Sequence, residues 1–512
     1  MKTEVLIIGG GATGTGIARD LALRGIESVL IEKKDINNGA SGANHGLLHS
    51  GARYAGKDQQ AAGECIRENL LLKELAPHCI ENTSGFFVSV KGDEKKYASD
   101  FPDICRNAGI PVREIQKEEA FEEEPSLSGD ITKIFEVPDA TIDPFRLSLD
   151  NISDACRNGG TLLRFTTLIG FEKDGEKIRA ALVKDDISGK EFEIEARIFV
   201  NAAGAWAGEV AAMAGAQIPM IFSKGTLLVT SSRISQRVIN RLRPPGDSDI
   251  VVPGGTVSIL GTTSVKADDL SDISPGVDEA DIIINESMKM VPEIKGARMI
   301  RAYSGVRPLV YSGTAEGRSI SRNYTLKDHS DEGSSNFITI TGGKLTTFRL
   351  MAEKASDFVS EKLGVDKKSL TGITPLPESR SSEWTQPGKS SRYLLSGSFS
   401  GEALLCECEM VSTSMIDNIV ENITIEKRFP SLKEIGLRSR IGKGSCQGAF
   451  CSFRIASYLY DKGIYSKEQG REEVKKFINE RWKGLRPVIR EKELVQADLQ
   501  DSFLCGLLGL EN

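Results

Sequence analysis

The 512-residue chain is poor in the features that define several large protein classes. Its nine cysteines are too few for a disulfide scaffold, and their odd number argues further against one. No run of about 18 or more consecutive apolar residues exists, which leaves no candidate membrane-spanning helix in the sequence. The most apolar stretch, Ile198 to Phe222, is broken by Asn201, Glu209 and Gln217 and reads as a buried strand followed by an Ala-rich helix. Met1 to Gly11 enters an apolar strand pattern directly, without a cleavable signal. The expected location is therefore the cytoplasm, with any contact to the inner face of the membrane made through a partner. Basic residues are not in excess: 65 Lys and Arg stand against 72 Asp and Glu, a net charge of −7, so nothing global points to nucleic acid. Histidine is scarce, with only His45, His49, His78 and His329, which narrows the choice of a general base.

What is present is ordinary globular composition, 39% hydrophobic and 27% charged, which excludes disordered and fibrous classes. At about 150 residues per domain the length suggests three domains. Glycine is the outlier at 51 residues, and these glycines gather in turns. The first group is the most informative. Glu4 to Ile8 reads as a buried parallel strand. Gly9, Gly11 and Gly14 follow in a G-x-G-x-x-G spacing. Ile17, Ala18, Leu21 and Ala22 then recur at helical spacing as far as Gly25, and Ser28 to Ile31 forms a second strand ending at Glu32. In such a βαβ unit the glycines permit a tight turn, a close backbone approach to a pyrophosphate and close helix packing, while the acid accepts from a ribose hydroxyl.

This fingerprint does not choose between NAD and FAD. Two later segments bear on that choice: a strand at Ile198 to Val200 ending in Asn201-Ala202-Ala203-Gly204, and a strand at Ile338 to Ile340 ending in Thr341-Gly342-Gly343-Lys344-Leu345-Thr346-Thr347. Three strand–turn–helix junctions suit a long cofactor contacted along its length, although the later two could be no more than tight turns. Together the three segments resemble the FAD enzymes of the D-amino-acid-oxidase/glycine-oxidase type. Asn44 to Tyr54 (NHGLLHSGARY), Ile142 to Leu147 (IDPFRL), Tyr303 to Leu309 (YSGVRPL) and Ile340 to Arg349 more narrowly resemble the flavin-linked sn-glycerol-3-phosphate dehydrogenases, in the form of the large, A-type FAD subunit of the anaerobic enzymes.

The resemblance implies an α/β fold in which a Rossmann-like FAD-binding domain interleaves with a mixed-sheet substrate domain, with a small C-terminal cysteine-bearing domain beyond. It implies FAD contacts at Gly9, Gly11, Ala12, Thr13, Gly14, Glu32, Lys33, Ser41, Ala203, Gly204, Gly343, Lys344, Leu345 and Thr346. The implied reaction is oxidation of sn-glycerol 3-phosphate to dihydroxyacetone phosphate, with hydride passing to FAD. Such chemistry needs a base for the hydroxyl proton. His49, within HSGARY, is the favoured one, although His45 and His49 could instead serve only to hydrogen-bond flavin or backbone. A phosphate monoester carries a charge of about −1.5 to −2, which an acidic protein must attract with a local cationic pocket. Arg307, between Gly305 and Pro308, reads as a positioned catalytic and substrate-binding residue; Arg53, Arg322 and Lys344, with Tyr54 as hydroxyl donor, complete the set that the resemblance implies. The competing readings are an FAD-dependent 2-hydroxy-acid or amino-acid dehydrogenase, or a non-catalytic flavin and iron–sulfur relay protein.

The chain divides near its end. Residues 1–365 read as the FAD-dependent oxidoreductase part, 366–402 as a Ser/Pro/Gly-rich linker and 403–512 as a cysteine-bearing and helical region. Between Lys427 and Glu493 there are 17 basic and 8 acidic residues, a net charge of +9. Cys406-x-Cys408 and Cys446-x4-Cys451 are grouped as metal ligands are, and C-x-C is tighter than the usual zinc spacing. The pattern resembles the bacterioferritin-associated-ferredoxin-like [2Fe–2S] domain; structural zinc and free thiols are the alternatives. The resemblance further implies electron transfer from the cluster to a B-type companion subunit, and through a membrane-associated C-type subunit to quinone. Cys65, Cys79, Cys105, Cys156 and Cys505 lack ligand spacing and are expected to be ordinary buried thiols. No sequence feature fixes the distance of the terminal module from the flavin.

Overall fold

The computed structural model describes residues 1–270, 273–311, 323–377, 403–426 and 428–509. Its first layer is an eight-stranded sheet built around the N-terminal strand Lys2–Ile8, which pairs in parallel with Ser28–Glu32 on one side and Glu191–Asn201 on the other. Thr161–Arg164 and Phe337–Gly342 extend the parallel set outward. A parallel strand is covered on both faces, which is why VLII is a continuous apolar run; Val5, Leu6 and Ile7 are fully buried. Helices Ala12–Leu23, Pro144–Arg157 and Phe348–Leu363 cover one face through Ile17, Leu21, Ile152, Ala352 and Ala355. The first helix ends as its sequence suggests, with Gly25 in the left-handed region and its amide bonded to Ala22. The polar segment 174–190 holds both turns and the middle strand of an antiparallel meander running from Thr166–Asp174 through Lys177–Asp185 to Glu191–Asn201.

A second, nine-stranded mixed sheet is interleaved with the first in sequence. Its long strands Met220–Thr230 and Met299–Val310 pair antiparallel, and helix Val277–Met290 packs on it through Ala280, Ile283 and Met290. This is the α/β architecture expected from the sequence, with the cofactor and substrate sheets drawn from alternating stretches of chain. The chain crosses between the two sheets repeatedly, and both contribute residues to one cavity.

The third part is helical. Thr413–Ile425, Leu432–Ser439, Cys451–Asp461, Lys467–Leu485 and Lys492–Leu508 surround a core of Ile416, Ile419, Ile435 and Ile455, beside a short hairpin of Leu404–Cys406 and Val411–Ser412. Of the expected linker 366–402, residues 378–402 lie outside the described residues. Residues 366–377 are held against the first part: Lys367 O accepts from Arg24, Ser369 Oγ donates to Asp20, and the Leu376 amide bonds Leu75 O. The helical part is docked by Leu485 and Val488, which enter the core of the second sheet, and by ion pairs. Arg164, 1% exposed, lies 3.0 Å from Asp35, 2.7 Å from Glu434 and 2.5 Å from Glu426, while Arg438 lies 2.8 Å from Asp35. One expectation fails here. Cys65, Cys79 and Cys105 are buried, but Cys156 is exposed and Cys505 half-buried. Cys156 lies on the face of its helix turned away from the core that holds Ile152 and Ala155.

Candidate active site

The turn after the first strand is tight because nothing else fits. A Cβ on Gly14 would lie 1.9 Å from the Gly9 carbonyl oxygen, so the helix can approach the strand only with glycine there. The Glu32 carboxylate accepts from the Gly10 amide at 2.7 Å and the Lys34 amide at 2.8 Å, each oxygen keeping a lone pair for a ligand. Burial pushes its pKa up, against the two amides that hold it down. Ser41 Oγ accepts from the Ala12 amide at 3.0 Å, tying the loop after the second strand to the start of the helix. Lys33 places its Nζ 4.2 Å from the centre of the Trp206 ring.

These residues open onto a cavity of about 410 Å³. Gly9, Gly11, Ala12, Thr13, Glu32, Lys33, Ser41, Ala203, Gly204, Gly343, Lys344 and Leu345 line it, as do His49, Arg53, Tyr54 and Arg307. Gly14 stands behind the turn as a packing residue. Thr346 acts indirectly, its Oγ1 accepting from the His49 amide at 3.0 Å. Arg322 lies outside the described residues. The cavity fits a long, partly anionic cofactor such as FAD: a backbone turn of glycines, a helix start and a half-buried carboxylate line it together with four cationic side chains, Lys33, Arg53, Arg307 and Lys344.

Each cation is positioned differently. Arg307 sits on strand Met299–Val310 directly across from Ser223. Its Nη1 donates to Ser223 Oγ at 3.1 Å, and its Nη2 donates to Thr263 O at 3.0 Å and to Thr262 Oγ1. The guanidinium lies across Gly225, where a Cβ would come within 2.5 Å of Nη2. Arg53 is 9% exposed; its Nη2 donates to Asp249 at 2.6 Å and to Gly246 O at 3.2 Å. Its Nη1 is buried and finds no hydrogen-bond partner among the described residues. Lys344 holds its Nζ 4.9 Å from the centre of the Tyr54 ring. His49, 8% exposed, has Nε2 3.3 Å from the Tyr54 hydroxyl, and its ring centre is 5.9 Å from that of His45.

Several lining residues carried no sequence signal, among them Thr166, Thr167 and Leu227. Asp249, which holds Arg53 and Arg243 together, is the most consequential residue that sequence reasoning misses. Despite a burial cost that raises its pKa, the two guanidinium charges bring it below its ordinary value. Its distance from Arg53 along the chain hides it from any motif.

The cysteine motifs converge elsewhere. Cys406 and Cys408 sulfurs are 3.7 Å apart, and Cys408 and Cys446 also 3.7 Å. Hydrogen bonds from Cys408 and Cys451 bring the Cys446 thiol down to about 2, while contacts with Cys406 and then Cys446 push Cys408 up. Among the described residues, His78, Cys79 and Asp150 also bring one ligand atom each to within 4.8 Å of one another. Asp150 already faces Arg146 at 3.6 Å, so that group is an ion-pair cluster.

Comparison with known proteins agrees with this architecture. The family described as DAO, FAD dependent oxidoreductase, matches residues 4–354. The chain is 40% identical to the A-type subunit of anaerobic glycerol-3-phosphate dehydrogenase from Escherichia coli (strain K12), over 100% of this chain and 97% of that one. It is 38% identical to the A1-type subunit of anaerobic glycerol-3-phosphate dehydrogenase from Haloferax volcanii, over 97% and 89%. Among solved structures it is similar to the glycerol-3-phosphate dehydrogenase from Bacillus halodurans complexed with FAD, with a TM-score of 0.65, 19% identity and coverage of 96% and 97%. Glycine oxidase from Geobacillus kaustophilus gives a TM-score of 0.59 at 20% identity, covering 74% and 99%. At those identities the two structures speak to the fold.

Proposed function

Because the chain belongs to the DAO family of FAD dependent oxidoreductases, and over its full length to the A-type subunits of anaerobic glycerol-3-phosphate dehydrogenases, we propose that it oxidises sn-glycerol 3-phosphate to dihydroxyacetone phosphate. The observation that carries the substrate class is Arg53, whose buried Nη1 lacks a partner among the described residues on a cavity that Arg307 and Lys344 also line. A buried polar group left unmatched is costly, by about 1–3 kcal/mol. A phosphate oxygen would satisfy it, and the planar forks of two arginines suit a phosphate better than a single carboxylate. Bound FAD supplies the hydride acceptor, held by the Gly9–Gly14 turn, Glu32, Ser41, Ala203, Gly204 and the Gly343–Thr346 turn. His49 is the base: Thr346 holds its backbone, and Nε2 faces the Tyr54 hydroxyl, where it can take the substrate hydroxyl proton. Arg53, Arg307, Arg322 and Lys344 bind the phosphate.

Cys406, Cys408, Cys446 and Cys451 would hold a [2Fe–2S] cluster, which supplies a one-electron carrier beside a two-electron flavin. The C-x-C spacing of the first pair, tighter than the usual zinc pattern, supports this over zinc. Metal analysis of anaerobically purified protein is expected to give about two irons per chain; one zinc per chain would reverse the assignment. The reading includes residues 1–365 as the oxidoreductase part, 366–402 as linker and 403–512 as the cluster part. It also includes companion B- and C-type subunits with quinone beyond them, since the relatives are each named as one subunit of a larger enzyme. No helix among the described residues is long and apolar enough to cross a membrane, which is consistent with a cytoplasmic protein reaching the membrane through such a partner.

The test is an anaerobic visible spectrum before and after addition of sn-glycerol 3-phosphate. The flavin band is expected to bleach. Flavin that is present but stays oxidised would sink the phosphate assignment and favour an acid substrate or a relay protein.

A further inference from the structure

The IDPFRL segment is absorbed by neither the flavin turn nor the substrate pocket, and the structure gives it a different place. Asp143 caps helix Pro144–Arg157: its Oδ1 accepts from the Phe145 amide at 2.9 Å and the Arg146 amide at 3.1 Å. Its Oδ2 accepts from Arg440 Nη1 at 2.6 Å. The same guanidinium donates through Nε, at 2.7 Å, to Glu409, the neighbour of Cys408. Lys443 Nζ lies 3.5 Å from the centre of the Phe145 ring. Towards the other side, Asn37 Nδ2 donates to Pro144 O at 2.6 Å, and Phe145 abuts Gly42, where a Cβ would come within 3.0 Å of the ring. Gly42 lies inside the loop whose residues Asn38 to Ser41, Ala43 and Asn44 line the cavity. Arg440 itself sits at φ +64°, a left-handed conformation that a non-glycine residue keeps only where its contacts hold it.

We infer that Arg440 is a positioning residue that fixes the cysteine module against the flavin-binding loop, with Asp143 and Phe145 as its anchor. The inference rests on the [2Fe–2S] reading above and extends it: the two redox sites are held at one separation by a built junction, not left to a linker. Two electrons leave the reduced flavin, its protons going to solvent. Each electron converts one ferric iron to ferrous, and an added one-electron acceptor, ferricyanide, reoxidises the cluster between the two events.

The test compares full-length, cofactor-loaded wild type with Arg440→Met and Arg440→Lys. Substrate-driven flavin bleaching is expected to stay within about twofold, because Arg440 does not reach the cavity. Each charge-assisted hydrogen bond is equivalent to about a tenfold change in the docked equilibrium or more. Appearance of the reduced-cluster paramagnetic signal after rapid freezing is therefore expected to slow about tenfold or more in Arg440→Met and less in Arg440→Lys. Amide exchange over residues 140–147 is expected to accelerate by a similar factor. Equal cluster-reduction rates in Arg440→Met and wild type would overturn the inference. If wild type gives no iron–sulfur signal at all, the cluster reading falls and exchange alone decides, unchanged protection of 140–147 overturning the junction. If Arg440→Met is insoluble, Arg440→Lys carries both comparisons, since it keeps the charge but cannot span Asp143 and Glu409 with one fork.

Discussion

Replacing Arg307 by alanine is expected to lower kcat/KM for sn-glycerol 3-phosphate by about a hundredfold or more, with flavin content at the wild-type level. Hydrogen bonds to charged groups contribute about 1.5–3 kcal/mol each, and a guanidinium presenting two of them to one phosphate supplies enough for that factor. The geometry makes the loss specific. Ser223, on the strand paired in register with that of Arg307, and Thr262 and Thr263, in the loop after Gly261, hold the fork in place. Arg307→Lys is expected to recover only a small part, because one ammonium cannot reach Ser223, the Thr263 carbonyl and a phosphate together. Steady-state kinetics with a parallel measurement of bound flavin is the check. An apoprotein would place Arg307 in cofactor binding or folding, and unchanged turnover would remove it from the site. Arg53→Ala has a different expectation: it strands Asp249 with Arg243 alone, so part of its effect should appear as lower stability.

The contrast between these two arginines shows what a sequence can and cannot disclose. The turn Gly9 to Gly14 and its partner Glu32 are legible because a βαβ unit is local: strand, turn, helix and acid lie within one short stretch, and each glycine has a steric reason that can be stated in advance. Arg307 is legible through its motif, but the residues that aim it come from another strand of the second sheet and from the loop after Gly261. Asp249 is invisible for the same reason. The cysteine pairs announce a shared site, and their sulfurs do converge across two separate turns. Where that module sits is not readable. A Ser/Pro/Gly-rich connection says nothing of docking, and docking is done by Leu485 and Val488 in the core of the second sheet and by single charged residues spread over the chain: Asp35, Asp143, Arg164, Arg438 and Arg440. Cys156 fails for a related cause, since the burial of a thiol depends on which face of a helix it occupies and not on the habits of cysteine in general.

Acidification is expected to loosen the helical module from the first part between about pH 4 and pH 2, and Arg164→Met to move that transition upward. Burial alone would raise the Asp35 pKa, but the charges of Arg438 and Arg164 outweigh it and bring the group down to about 2 from its ordinary value of 3.8. A carboxylate depressed in the folded state stabilises that state above its unfolded pKa, and the contribution is lost as pH falls through the folded one. The shift corresponds to about 2 kcal/mol, with no discount for solvent because Asp35 is buried. Removing Arg164 leaves Asp35 with Arg438 and takes from Glu434 the guanidinium it faces at 2.7 Å, so the variant is expected to lose about 3–5 kcal/mol at neutral pH. With only one guanidinium beside it, Asp35 titrates higher, and the acid transition follows it. Amide exchange of residues 432–439 against pH, in both proteins, reads the two effects separately. A neutral-pH loss without any shift of the acid transition would mean that Arg164 holds the module through packing and Glu434, with Asp35 a bystander.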